Sequence, residues 1–184
     1  MRIISGKYRG RKLQPPVSLP VRPTTDFAKE GLFNILANFI DFESIRVLDL
    51  FAGTGSIAFE FLSRGAQDVM AVDANHHCVE FIKKCATEFG ATNLKALRSN
   101  AFVFLKHPWS AYDIIFADPP YDLEGIESIP DLVMEQDVLT EKGLLILEHS
   151  ARYKFEKHPD FSQTRAYGNV HFTFFTKSKS KIRN

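Results

Sequence analysis

The sequence predicts an α/β fold, a mainly parallel sheet covered by helices, and two observations predict it. Short apolar runs of strand length recur along the 184 residues, and longer stretches with helical spacing separate them, the β-α-β-α order of a parallel sheet. After residue 149 the order changes to alternation around Gly168 and Asn169, which reads as a hairpin closing the sheet with antiparallel strands. A chain of this length with 45% hydrophobic residues can bury one substantial core, so one main domain is expected.

The elements follow in order. "MRIISGKYRGRKLQPP" alternates and then meets prolines, which predicts a small N-terminal hairpin and a linker. "TTDFAKEGLFNILANFI" is a helix capped by Thr25 or Asp26, with Leu32, Phe33, Leu36 and Ile40 on one face to cover the sheet. Strands are expected at "RVLDLF" (46 to 51), "DVMAVD" (68 to 73), "LKALRS" (94 to 99), "YDIIFAD" (112 to 118) and "GLLILEH" (143 to 149). Helices are expected at 56 to 64, 76 to 90, 101 to 107 and about 124 to 137. "FSQTRAYGNVHFTFFTK" supplies the closing hairpin.

Composition excludes several classes. No run of about 18 apolar residues occurs and the N-terminus lacks the apolar stretch of a secretory signal, so no membrane contact and a cytoplasmic location are expected. Cys78 and Cys85 are seven apart on one helical face, about 10 Å, too far for a disulfide. Six scattered histidines and two cysteines match no metal-ligand spacing, so no metal is expected. The net charge of +1 conceals a segregation. Residues 1 to 25 carry six basic residues and no acid, and residues 161 to 184 carry five and no acid. The acidic middle is therefore bracketed by basic ends that suit a polyanion, or that form solvated tails.

In open parallel sheets ligands bind beyond the carboxyl ends of the strands, and four of those ends are unusual here. In "LDLFAGTGSIAFE" Asp49 lies inside the strand end, Gly53 and Gly55 make the turn, and the next helix N-terminus offers N–H donors. Asp73 falls twenty residues after Gly53, where an acid can accept both ribose hydroxyls or cap the following helix. These features suit a nicotinamide or an S-adenosylmethionine cofactor alike. Asp49 favours the second, because its carboxylate would repel a pyrophosphate and attract an ammonium. Asn100 and Ala101 end the third strand where an adenine edge and face would lie, although asparagine is also a good helix cap.

The fourth end reads "DPPY". An exocyclic amine on a base is a poor nucleophile, since its lone pair is delocalised into the ring. Asp118 can accept one of its hydrogens and the Pro119 carbonyl the other, while the prolines stiffen the loop and Tyr121 stacks on the base. Asp118 also adjoins the expected cofactor position, and Phe51 follows Asp49 at the same strand end. Spacing alone therefore reaches an amino group on a planar base. Glu148, at the fifth strand end, has either a site role or a structural one.

The sequence resembles the Rossmann-like class I S-adenosyl-L-methionine-dependent methyltransferases with an Asp-Pro-Pro-Tyr motif, and among them the RsmD family of 16S ribosomal RNA (guanine-N2)-methyltransferases. The likeness runs through "RIISGKYRGRKL", "RPTTDFAKEGLFN", "LDLFAGTGSIAFEFLSRGA", "VDAN", "SNAFVFL", "DPPY", "LLILEHS" and "YGNVHFTFF". It implies a seven-stranded, mostly parallel sheet with an antiparallel final strand, behind a small N-terminal β-hairpin. It implies a basic hairpin and linker over 1 to 24 for RNA contact, a methyltransferase domain over 25 to 176 and a basic tail over 177 to 184. It further implies methyl transfer to the N2 amine of one guanine, with S-adenosyl-L-homocysteine as product and 16S rRNA in an assembling small ribosomal subunit as partner. Arg9, Arg11, Arg22 and Thr24 are then the RNA-contact candidates beside Tyr121.

One departure stands out. The family carries basic residues after "RPTTD", where this chain reads Phe27, Ala28, Lys29, Glu30. Three other readings stay open: the same chemistry on another RNA guanine or on adenine N6, a non-catalytic RNA-binding or assembly factor, and a nicotinamide dehydrogenase. Cofactor binding and methyl transfer separate them. The number of subunits is not legible in the sequence.

Overall fold

Seven strands form one sheet: β1 (Arg46–Leu50), β2 (Asp68–Asp73), β3 (Leu94–Arg98), β4 (Tyr112–Ala117), β5 (Leu139–His149), β6 (Phe161–Tyr167) and β7 (Val170–Thr176). A computed structural model describes residues 1–17, 19 and 25–177 of the chain. The strand order is β3-β2-β1-β4-β5-β7-β6, parallel from β3 to β5. β7 then inserts antiparallel between β5 and β6. β1 therefore has β2 on one side and β4 on the other, and the direction of winding reverses between β1 and β4. A crevice opens at such a point beyond the strand ends.

Alternation along the strands divides the core. Val47, Val69, Ile114, Phe116, Ile146, Phe172 and Phe174 face helices α1 (Asp26–Leu36), α2 (Ser56–Ser63) and α3 (His76–Phe89). Leu48, Leu50, Met70, Ile115, Leu145 and Leu147 face α4 (Ala101–Lys106) and α5 (Ile129–Glu135) on the other side. Both faces of the central parallel strands β1, β2 and β4 are thus covered, which is why they read as near-continuous apolar runs, whereas edge strand β3 carries exposed Lys95 and Arg98. Thr25 caps α1, accepting from the Ala28 N–H at 3.2 Å, and Leu32, Phe33 and Leu36 are buried.

Three local expectations shift. The helix expected over 124 to 137 is a 3-10 turn, Ile126–Ser128, followed by α5, because Gly125 takes a left-handed φ of 86° and Pro130 must sit in the first helical turn. β5 starts at Leu139 instead of 143, with a register shift opposite Tyr112 and Ile114. The N-terminal segment doubles back as expected, but its pairing is a single antiparallel bridge between Arg2 and Lys12. The reason is that its donors go elsewhere. Ile4 and Ser5 N–H groups donate to the Glu60 carboxylate at 2.8 and 3.1 Å, and Tyr8 N–H donates to Ser63 Oγ at 2.9 Å. Ile3, Tyr8 and Leu13 join the core beneath α1, α2 and α3. Cys78 and Cys85 are buried free thiols, pushed up to about 11 chiefly by burial.

Candidate active site

The ends of β1, β2 and β4 open into a cleft of about 860 Å³. Asp49, Phe51, Gly53, Asp73, Asn100, Ala101, Asp118, Pro119 and Tyr121 all line it, together with Thr25, Glu148 and the Tyr167–Val170 turn. Gly55 lies just behind that lining, as the left-handed N-cap of α2 with φ 74°. The sequence-predicted cofactor and base-binding residues are therefore brought together around one space.

Asp49 is the electrostatic centre of that space. It is 2% exposed, and its Oδ2 accepts from the Ala58 N–H at 3.0 Å. Burial pushes its carboxyl up to about 8; the Ala58 hydrogen bond opposes the rise and the nearby Asp73 adds to it. A buried carboxylate with one hydrogen bond is poorly compensated, so a cation placed beside it would be held strongly. Phe51 carries a φ of 60°, the one non-glycine residue with positive φ among the described residues. That conformation is costly for a bulky side chain and persists where surrounding structure imposes it. Here it turns the chain out of β1 so that Ala52 N–H can bond the Val72 carbonyl at 3.0 Å and the glycine turn can begin.

Asp73 fastens this turn to β2. Its Oδ2 accepts from Gly53 N–H at 2.8 Å and its Oδ1 from Asn75 N–H at 2.7 Å. Each oxygen retains a second lone pair for a hydroxyl. Helix α3 is capped by Asn75, whose side chain accepts from His77 N–H, so the capping alternative for Asp73 passes to its neighbour. Asn100 does cap its helix: its Oδ1 accepts from Phe102 and Val103 N–H at 2.9 and 3.2 Å. What it can offer a ligand is accordingly its amide N–H, a donor.

Across the cleft, Pro119 is buried and the Leu123 N–H donates to the Pro120 carbonyl at 2.9 Å, closing the loop after β4. The Arg152 guanidinium donates to the Tyr121 carbonyl and to the Tyr153 hydroxyl, and lies 4.6 Å from the Tyr153 ring centre. This clamp was not legible in the sequence, because Arg152 is 31 residues away in an unpatterned turn.

Lys29, fully buried in α1, was also hidden. Its Nζ donates to the Arg2 carbonyl at 2.8 Å and to Ser56 Oγ at 3.1 Å, and lies 3.8 Å from Glu60 Oε2. Burial lowers its pKa, against the pull of Glu60. Glu60 is equally buried and also pairs with Arg64 at 2.9 Å. The network ties the N-terminal segment to the first residue of the helix that follows the glycine turn.

Arg9 and Arg11 do not line the cleft. The Arg11 guanidinium lies over Tyr8 and over Phe89, at the C-terminal end of α3, 4.7 Å from the Phe89 ring centre. That end is about 20 Å from the cleft, the length of a fourteen-residue helix. Arg22, Thr24 and the basic residues Lys179, Lys181 and Arg183 lie outside the described residues. Among the described residues no group of three or more His, Cys, Asp or Glu side chains gathers as metal ligands, and no helix is long and apolar enough to cross a membrane.

A doubly wound sheet with β7 inserted antiparallel, a glycine turn flanked by two acids and Asp-Pro-Pro-Tyr at the end of β4 define a Rossmann-like methyltransferase whose cofactor is S-adenosyl-L-methionine. The comparisons give the particular branch. The chain belongs to the family described as conserved hypothetical protein 95, whose model matches residues 1–176, and which is the RsmD family. Ribosomal RNA small subunit methyltransferase D of Escherichia coli is 35% identical over 148 residues, covering 80% of this chain and 74% of that one. Its Haemophilus influenzae counterpart is 35% identical over 156 residues, covering 80% and 78%. The solved structure of the E. coli methyltransferase yhhF superposes with a TM-score of 0.85 at 29% identity, covering 98% of this chain and 99% of that one. The dehydrogenase reading is overturned by this membership. The donor set fits the cofactor: Asp49 suits an ammonium, Asp73 a pair of hydroxyls.

Proposed function

We propose that this protein methylates the exocyclic N2 amine of a guanine in 16S rRNA, with an assembling small ribosomal subunit in the cytoplasm as its setting. The observation that carries the reading is the placement of Asp118, Pro119 and Tyr121 on the same cleft as Asp49 and Asp73. The relatives named as small subunit rRNA methyltransferases support the RNA and the subunit.

When bound, S-adenosyl-L-methionine would supply an electrophilic methyl on a sulfonium, with the thioether S-adenosyl-L-homocysteine as the leaving group. The residues of the chain do the rest. Asp49 would hold the ammonium, Asp73 the ribose hydroxyls, and Asn100 with Ala101 the adenine edge and face. Phe51, Gly53 and Gly55 shape the floor on which they lie. Asp118 accepts one N–H of the guanine amine and the Pro119 carbonyl accepts the other, which aims the nitrogen at the methyl. Tyr121 stacks on the ring, a contact worth about 1–3 kcal/mol. Positioning of this kind can lower a barrier by several kcal/mol, because reacting atoms are held at contact instead of meeting by diffusion. As the N–C bond forms and the sulfur–methyl bond breaks, the amine gains a positive charge, and loss of one N–H proton to the Asp118 carboxylate restores neutrality.

Arg9 and Arg11 serve as phosphate contacts outside the cleft, Arg11 about 20 Å from the reaction, on RNA flanking the target and not on the target nucleotide. Arg22 and Thr24 are proposed as further RNA contacts. The test is transfer of tritium from labelled S-adenosylmethionine to small subunits and naked 16S rRNA from cells lacking this protein, with nucleoside analysis. N2-methylguanosine at one site is the expected product. Label in N6-methyladenine, or none at all with cofactor bound, would overturn the reading.

A further inference from the structure

We propose that Phe27 and Tyr167 form an aromatic ledge on the rim of the cleft that stacks the nucleobase next to the methylated guanine. This rests on the ribosomal RNA reading above. Phe27 is 72% exposed, the most exposed phenylalanine among the described residues, so it contributes little to the core. Its ring meets Tyr167 edge to face, with centres 5.9 Å apart and planes at 77°. Tyr167 itself lines the cleft, and its ring rests on the core at Phe172, 5.9 Å away.

The seat of Tyr167 is built into α1. A Cβ on Gly31 would come within 2.1 Å of the Tyr167 ring, so the helix gives up a side chain there although glycine weakens a helix interior. Phe27 stands one turn before Gly31 on the same face of α1. The ledge is thus rigid on its Tyr167 side and open to solvent on its Phe27 side.

A nucleobase is the occupant this arrangement suits. When a loop guanine enters the cleft, the neighbouring base loses a stacking partner, and an aromatic side chain at the rim replaces it. Exposed Asp26 and Glu30 flank Phe27 and repel a phosphate backbone, whereas a base presents a neutral face. Exposed Arg165 lies two residues before Tyr167 on β6 and so on the same sheet face, where it can meet the phosphate linking the two nucleotides.

The test compares Phe27→Ala, Phe27→Leu and Phe27→Trp by tritium transfer to rRNA, with cofactor affinity from calorimetry and melting temperature alongside. The alanine and leucine variants are expected to raise KM for RNA about tenfold, with tryptophan near wild type and with cofactor affinity and melting temperature unchanged. An unchanged KM in the alanine variant overturns the ledge, and so does full activity in the leucine variant, which keeps apolar contact without a π-face. Loss of cofactor affinity in step with RNA affinity also overturns it. If the wild type labels no rRNA at all, the ribosomal reading falls and the ledge with it; an active wild type with an unaffected alanine variant refutes the ledge alone.

Discussion

Replacing Asp49 with asparagine is expected to stabilise the cofactor-free protein in a pH-dependent way while weakening cofactor binding. The carboxyl is 2% exposed and pushed up to about 8 from an ordinary value near 3.8. A carboxyl raised on folding binds its proton more tightly in the folded state. Its contribution to stability is therefore fully present below about pH 4, is lost as pH rises, and levels off above about pH 8. Between pH 5 and 8 each unit is worth about 1.4 kcal/mol, a ceiling of about 4 kcal/mol. Water entering the open cleft relaxes part of this, and about 2 kcal/mol is the expected net. Asparagine has no charge to bury, and its Oδ1 can still accept from Ala58 N–H, bonded at 3.0 Å in the wild type. Melting of both proteins at pH 5 and 8.5 is the assay. The variant's advantage should grow by about 4–8 °C between the two, at about 2–4 °C per kcal/mol for a chain of this size. An advantage that is the same at both pH values would refute the reasoning, as would undiminished cofactor affinity.

Other perturbations separate the remaining roles. Asp118→Ala should keep cofactor affinity and lose most turnover, by single-turnover methyl transfer at saturating cofactor; normal turnover would remove Asp118 from the chemistry. Asp73→Ala should weaken cofactor binding by about 1–3 kcal/mol, read by calorimetry, because it removes a charged acceptor and leaves the Gly53 N–H without its 2.8 Å bond. Glu60→Ala should destabilise the fold by about 3–5 kcal/mol in chemical denaturation, since it leaves buried Lys29 uncompensated and strips the Ile4 and Ser5 N–H groups of their acceptor. If Lys29→Met combined with Glu60→Ala is no better than Glu60→Ala alone, unpaired lysine charge is not the cause.

The sequence by itself determined the parts of this protein that are short-range. Apolar runs bounded by turns marked the central parallel strands, because a strand covered on both faces is nearly continuous in hydrophobicity. The glycine turn, Asp49, Asp73 and the Asp-Pro-Pro-Tyr segment were legible because each occupies a strand end, and a parallel topology places those ends together. Thr25 as a cap and the closing hairpin followed from local chemistry as well. What only the tertiary structure decided concerns charge and aromatic groups whose surroundings come from distant segments. Lys29 stands in the sequence only as part of the departure after "RPTTD", and its burial comes from partners at residues 2, 56 and 60. Arg11 reads as an RNA-contact candidate whose place on the molecule is open, and it lies over Phe89 at the far end of α3, because the N-terminal segment is bonded along α2. Tyr167 reads as one alternating strand residue and becomes part of the cleft because Gly31, 136 positions earlier, leaves it room. Periodicity and turn chemistry are set within a few residues, whereas burial of a charge or seating of a ring depends on which remote surfaces meet, and that is fixed when the sheet and its helices close.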